Sequence, residues 1–173
     1  MSAGVERREG AATALIFMSA AGVTLFADLL TKHLAFKYLD LAAVLPIIPR
    51  CLNLRVSVNR GAVFGIGQGM GLFFVLFTVV AAAGIIWAAC AYGRSSRFLT
   101  IGLGLLLGGA LGNLWDRLVH GCVRDFIDAY VGRYHWPTFN IGDAAICAGA
   151  AIIVLHAFLS PRERPEKKVP HRE

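Results

Sequence analysis

The sequence predicts an all-α membrane fold, a four-helix transmembrane bundle carrying a small extracytoplasmic β-sheet. Three observations point there. Hydrophobic residues make up 57% of the 173 residues and charged residues only 16%, against about 45–50% and about 25% in soluble domains. Four apolar runs each reach the roughly 20 residues a bilayer crossing requires. Between the first two lies one stretch of strict two-residue alternation.

The first run extends from Ala11 to Leu30. Ser19-Ala20-Ala21 resembles a signal-peptide cleavage site, but the run continues through Val23, Leu25 and Phe26, which a cleaved leader does not need. The alternation follows it: Leu52, Leu54, Val56 and Val58 are interleaved with Asn53, Arg55, Ser57 and Asn59, the pattern of a half-buried strand. Gly61, Gly65, Gly67, Gly69 and Gly71 then suit turns and close backbone approach. The second run, Met70 to Ala91, carries no charge. The third, Phe98 to Val119, is charged only near its end, and its Gly104, Gly108 and Gly112 stand at the four-residue spacing that lets another helix pack closely. The fourth, Ile141 to Leu159, has Asp143 near its start. Trp87, Tyr92, Trp115, Tyr134 and Trp136 fall near run ends, as interfacial aromatics do. Residues 1–160 read as one membrane-embedded domain, and 161–173 as a polar, basic, disordered tail.

The formal net charge is +6. Its placement decides its meaning. Arg7, Arg8, Arg94, Arg97, Arg162, Arg164, Lys167, Lys168 and Arg172 sit at the termini and in the loop between the second and third runs. With an even number of spans these share one face, and the positive-inside rule makes it cytoplasmic. The segments 31–69 and 120–140 then face outward. No basic stripe or nucleic-acid motif appears, so nucleic acid is not an expected partner. Cys51, Cys90, Cys122 and Cys147 form no CxxC and have no histidine at metal-ligand spacing. Cys51 and Cys122 share a side of the membrane, so a disulfide between them stays open.

Ionisable groups at membrane depth are costly and tend to mark function. Asp28, Asp116, Arg117, Asp125 and Asp143 gather near the outward ends of the predicted helices. Asn113, Asp116 and Arg117 share one helical face, a polar cluster suited to holding neighbouring backbone, with Arg117 placed to neutralise Asp116. Asp125 and Asp143 lie on separate segments. If they converge at the rim of a low-dielectric bundle they cannot both ionise easily, so one keeps a proton and the other is left as a base. An aspartic peptidase needs this arrangement. Proton-coupled transporters also keep acidic residues in their helices, so the carboxylates alone leave both readings open. A membrane thiol oxidoreductase would suit four helices, but the missing CxxC counts against it.

The motifs go further. Asp28-Leu29-Leu30-Thr31-Lys32 looks like D-x-x-[ST]-K, and Asn59-Arg60-Gly61-Ala62-Val63-Phe64 looks like N-x-G-A-x-F. Gly109 to Arg117 looks like G-x-x-G-N-x-x-D-R, Gly121 to Phe126 like G-x-V-x-D-F, and Pro137 to Asp143 like P-x-F-N-x-A-D. In this set and order the chain resembles the bacterial lipoprotein signal peptidases, the signal peptidase II family. The resemblance implies a metal-free aspartic endopeptidase of the inner membrane, without cofactor, that cuts before a cysteine carrying a diacylglyceryl group. Its partners would be prolipoproteins, membrane lipids and globomycin-like cyclic peptide inhibitors. The catalytic pair would be Asp125 and Asp143. Asn59, Gly109, Asn113, Asp116, Arg117 and Asn140 would support and position substrate, and Asp28 and Lys32 would order the outer end of the first helix. Gly142 departs from the family's usual alanine. It loosens a helix start by up to about 1 kcal/mol but removes no chemistry.

Both termini are expected on the cytoplasmic face. A topology reporter fused after Glu173 should be active only in the cytoplasm. Activity only outside would separate the two aspartates from the face assigned to them.

Overall fold

The computed structural model describes residues 3–40, 42–61 and 69–159. The expected tail 161–173, the glycines Gly65 and Gly67, and the end of the Asn59–Phe64 motif lie outside the described residues. Four helices are long and apolar enough to cross a membrane. They are α1 (Ala3–Tyr38), α2 (Gly71–Tyr92), α3 (Arg97–His120) and α4 (Ile141–Leu159). The last three match the apolar runs to within a residue at each end.

The first helix departs from its run. It has 36 residues, about 54 Å at 1.5 Å per residue, against a hydrocarbon core of about 30 Å. It continues past Leu30 because nothing there stops a helix. No Gly or Pro intervenes before Tyr38, and the charge of Lys32 is cancelled within the bundle by Asp28, 2.6 Å away.

α3 is the most buried of the four helices and packs against the other three. Its glycines explain the close approach to α1. A Cβ at Gly104 would stand 2.7 Å from Ala20 Cβ, and one at Gly108 would stand 2.5 Å from the Ala21 carbonyl oxygen. One at Gly112 would collide with the Asp28 carboxylate. Phe17, Ala21, Ala82, Leu103 and Leu107 form the apolar core around this seam. The connection between α2 and α3 is a short 3-10 turn at Gly93–Ser95, which packs on Thr13 near the start of α1. α3 ends at Gly121, whose φ of 68° gives the left-handed C-terminal cap.

At the opposite end of the bundle lies an antiparallel sheet in the order β1-β2-β3-β4, formed by β1 (Leu45–Ile48), β2 (Leu52–Asn59), β3 (Val123–Val131) and β4 (Tyr134–His135). β2 coincides with the alternating segment. Between Leu54 and Ser57 it carries a bulge, where Arg55 and Val56 together oppose Phe126. The bulge brings Ser57 opposite Asp125 and Asn59 opposite Val123. Asn59 and Asp125 therefore share one face of the sheet as diagonal neighbours. Ala35, Val56 and Phe126 seat the sheet on the C-terminal end of α1. All four cysteines are free, so no Cys51–Cys122 disulfide forms.

The α1–α3 seam yields a stability prediction. Gly108→Ala should cost about 1–3 kcal/mol, because the added methyl meets the Ala21 carbonyl oxygen and the Thr24 Cβ, neither of which can swing aside. Gly22→Ala, where a Cβ meets open space, should be neutral or slightly stabilising. Thermal unfolding of both variants in detergent checks the contrast.

Candidate active site

The site is built on the first turn of α4. Phe139 joins β3 edge-on: its carbonyl accepts the N–H groups of Phe126 at 3.0 Å and Ile127 at 2.9 Å. That bridge delivers Asn140 beside Asp125, two residues up the strand from Ile127. Asn140 then caps the helix. Its Oδ1 accepts the Asp143 N–H at 2.9 Å, and Asp143 Oδ2 accepts the Asn140 N–H at 3.3 Å. This is a reciprocal capping box, and its four-residue spacing is legible in Asn140-Ile141-Gly142-Asp143. Carboxylate charge is favoured at this position by the helix dipole.

Two amides connect the aspartates. Asn113 Nδ2 donates to Asp143 Oδ1 at 2.7 Å, and Asn140 Nδ2 donates to Asp125 Oδ1 at 2.6 Å. Asn140 Nδ2 also donates to Asn113 Oδ1 at 3.2 Å. Asn59 adds a side-chain hydrogen bond to Asp125. Asp125 and Asn140 are almost wholly buried. Burial and then the neighbouring Asp143 charge push the Asp125 carboxyl up to about 7, against the opposing hydrogen bonds from Asn140 and Asn59.

A second layer of charge lies beneath. Lys32 Nζ donates to Asp28 Oδ2 at 2.6 Å and to Asn113 Oδ1 at 2.9 Å, and lies 3.4 Å from Asp116 Oδ2. Asp28 Oδ1 accepts the Gly142 N–H at 2.7 Å, so α1 holds the first turn of α4 directly. Gly109 permits this contact between helices, since a Cβ there would collide with the Gly142 carbonyl oxygen. A Cβ at Gly142 itself would lie 3.1 Å from both Asp28 and Asn140, a tight fit that the glycine avoids. Among the described residues, no buried side-chain nitrogen or oxygen lacks a partner.

All ten sequence-selected residues thus fall in one connected region, with one change of partner. Asp116 forms its contact ion pairs with Arg124 and Lys32, and Arg117 feels its charge only from beyond contact distance. Adjacent helical residues point about 100° apart and cannot face each other. Asp116 is held instead by Arg124, whose Nε and Nη2 reach Asp116 Oδ1 at 3.0 and 2.7 Å and whose backbone N–H reaches Oδ2 at 2.9 Å. Arg117 donates to the carbonyls of Asn113 and Gly61 and faces the charges of Asp143 and Asp125. Arg124 is the residue that sequence reasoning missed. It occupies a variable position of its motif, and its role depends on β3 being a strand. Lys32 also does more than order a helix end, since it is fully buried against the site.

Asp128 belongs elsewhere. Strand alternation turns it to the face opposite Asp125, where it accepts from Asn53 at 3.1 Å and contacts His135 Nδ1 at 2.7 Å. Among the described residues, no three His, Cys, Asp or Glu side chains stand together as a metal site.

Residues 20–159 match the family model described as signal peptidase (SPase) II. Proteins named lipoprotein signal peptidase from Photorhabdus laumondii and Geobacillus thermodenitrificans are 42% and 40% identical to this chain, covering 84% and 86% of it and 89% and 93% of their own lengths. One from Syntrophus aciditrophicus is 38% identical, covering 87% of this chain and 96% of its own. Among solved structures, a bacterial membrane enzyme determined in meso at 2.3 Å resolution superposes with a TM-score of 0.80 at 29% identity, covering 92% of this chain and 95% of that one. A second, at 1.9 Å resolution, gives 0.76 at 28% identity, covering 87% and 95%.

The capping box makes Asn140 the residue whose loss should spread furthest. Asn140→Ala should cost about 1–2 kcal/mol for the cap alone, and more for the contacts with Asp125 and Asn113 that go with it. Asn140→Ser keeps an N-cap oxygen and should recover the cap contribution only. Thermal midpoints of the two variants measure the difference.

Proposed function

The chain belongs to the signal peptidase II family, and on that premise we propose that it removes signal peptides from prolipoproteins by an aspartic mechanism. Asp125 and Asp143 are the catalytic pair, and the cut falls just before the lipid-bearing cysteine. The observation that carries this reading is the pair itself: two carboxylates from separate segments, brought together through Asn113 and Asn140 at the sheet end of an apolar bundle.

The two are not equivalent. Both oxygens of Asp143 accept N–H groups, and it stands at a helix N-terminus. Asp125 is displaced upward to about 7 and holds its proton to near neutrality. Asp143 is then the base that takes a proton from water as the water attacks the scissile carbonyl. Asp125 donates a hydrogen bond to that carbonyl and passes its proton to the leaving nitrogen. The cluster's charge agrees. Lys32, Arg117 and Arg124 face Asp28, Asp116, Asp125 and Asp143, so one proton on the pair brings it to neutrality.

Membership in this family, with four membrane-length helices, makes the chain a multi-pass bacterial membrane protein. We place both termini in the cytoplasm and the site at the outer face of the inner membrane. There the lipid chains of the substrate cysteine remain in the bilayer while its peptide reaches the sheet. Globomycin-like cyclic peptides would occupy the same site.

Asp125→Asn or Asp143→Asn should lower cleavage of a lipidated precursor by roughly 10²–10⁴-fold, with the double variant little worse than either. Asp128→Asn should keep most activity. Near-normal cleavage by either folded single variant would rule out the mechanism. The rate should also fall as pH rises through about 7, where Asp125 gives up its proton, and a strong chelator should leave it unchanged. A rate that climbs steadily through that range would assign the proton donor elsewhere.

A further inference from the structure

Lys32 contacts neither aspartate of the pair, yet its ammonium lies one amide away from Asp143. We propose that Lys32 is a positioning residue that selects Asp143 as the base, by fixing which way the Asn113 amide points. This inference rests on the aspartic reading above and extends it to a residue in a different helix.

Donors and acceptors decide how Asn113 points. An ammonium only donates. The Asn113 atom 2.9 Å from Lys32 Nζ must therefore be its oxygen. The Asn140 amide nitrogen, 3.2 Å from the same atom, demands the same assignment. Asn113 then has only its NH2 group to present to Asp143 Oδ1, at 2.7 Å. An ionised carboxylate accepts that hydrogen bond fully. If the amide were reversed, its NH2 would confront the ammonium and the Asn140 NH2, and its oxygen would confront Asp143 Oδ1. Two acceptors at that distance are tolerable only if Asp143 carries the proton. The two orientations of Asn113 thus correspond to the two ways of placing one proton on the pair, and Lys32 permits only one.

Lys32 is held for this task. Asp28 accepts a second hydrogen bond from it, Asp116 pairs with its charge at 3.4 Å, and all three side chains are fully buried. Its position is over-determined, so its preference is passed on rather than relaxed away. Arg117 from α3 and Asp125 from β3 interact with the charge of Asp143, and behind them Asp28 and Lys32 from α1, Asp116 from α3 and Arg124 from β3 form one ion-pair network. Of these, Lys32 is the one whose hydrogen bond sets the orientation of the Asn113 amide.

Two double variants separate orientation from charge. Asp28→Asn/Lys32→Gln removes the buried ion pair but keeps an N–H donor for Asn113. Asp28→Asn/Lys32→Met removes the pair and the donor together. Among folded proteins, judged by thermal midpoint and inhibitor binding, the Met form should show kcat at least about tenfold below the Gln form, the scale of one lost orienting hydrogen bond. KM should be similar, and the acid limb of the Met form's pH profile should lie at higher pH. A purely structural role for Lys32 predicts equal kcat per folded molecule and superimposable profiles, and that result would overturn the inference. The wild-type enzyme decides the matter independently. With isotope-labelled asparagine, the side-chain amide signal of Asn113 should follow the lower-pH step of the pair's titration and that of Asn140 the higher step. The reverse order also overturns it. If Asp125→Asn and Asp143→Asn retain cleavage, the aspartic reading itself has failed. If they abolish it while the Gln and Met forms match, only the role of Lys32 has.

Discussion

The unpaired N–H groups at the start of α4 govern this molecule. A helix begins with donors that have no partner within it, and here they face the interior of the bundle rather than water. Asp28 takes the Gly142 N–H, and Asn140 takes that of Asp143. Those two requirements pull α1 and the strand-linked segment 136–140 onto the same helix end. The glycines at 109 and 112 follow from this, because any side chain there would occupy the space the contacts need. So does the burial of Lys32, which must offset the carboxylate that α1 sends to the cap.

Such a centre is expensive to build. Burying charges costs several kcal/mol per ion, and pairing them rarely recovers more than that cost. The ion pairs among Lys32, Asp28 and Asp116 are weak contributors to stability in themselves. Their presence is therefore better explained by what they impose on Asn113 and α4 than by any gain in stability. The apolar seam of Phe17, Ala21, Leu103 and Leu107 supplies the cohesion that the polar centre does not.

The helices were legible because membrane solvation imposes a strong and local signal: about 20 apolar residues must follow one another. β2 was legible because its sequence alternates strictly, even though the bulge at Arg55 and Val56 sets Leu52 and Leu54 on one face and Val56 and Val58 on the other. β3 was not. In Val123-Arg124-Asp125-Phe126-Ile127-Asp128 polar residues occupy both faces, since Asp125 and Asp128 are each buried against hydrogen-bonding partners on opposite sides. A buried polar strand has no hydrophobic period to read. Helix α1 overran its apolar run for a related reason: Lys32 reads as a boundary charge and is in fact an interior one. The site residues were named by motif and spacing, but which atom meets which is a tertiary matter. Arg124, rather than Arg117, reaches Asp116 because of a strand that composition does not announce.

The bulge in β2 has a consequence for how this chain can change over evolutionary time. Asn59 reaches the face of Asp125 only because one surplus residue is absorbed between Leu54 and Ser57. Strand side chains alternate, so the present sequence paired from Leu54 onward without that bulge would turn Asn59 to the other side of the sheet. The chain could lose one of positions 55 and 56, which would leave a regular ladder with Asn59 on the same face, but it could not pair both of them in register without turning Asn59 away from Asp125. The turns at 49–51 and 132–133 bear no such constraint, and lengthening or shortening of the chain belongs in those places.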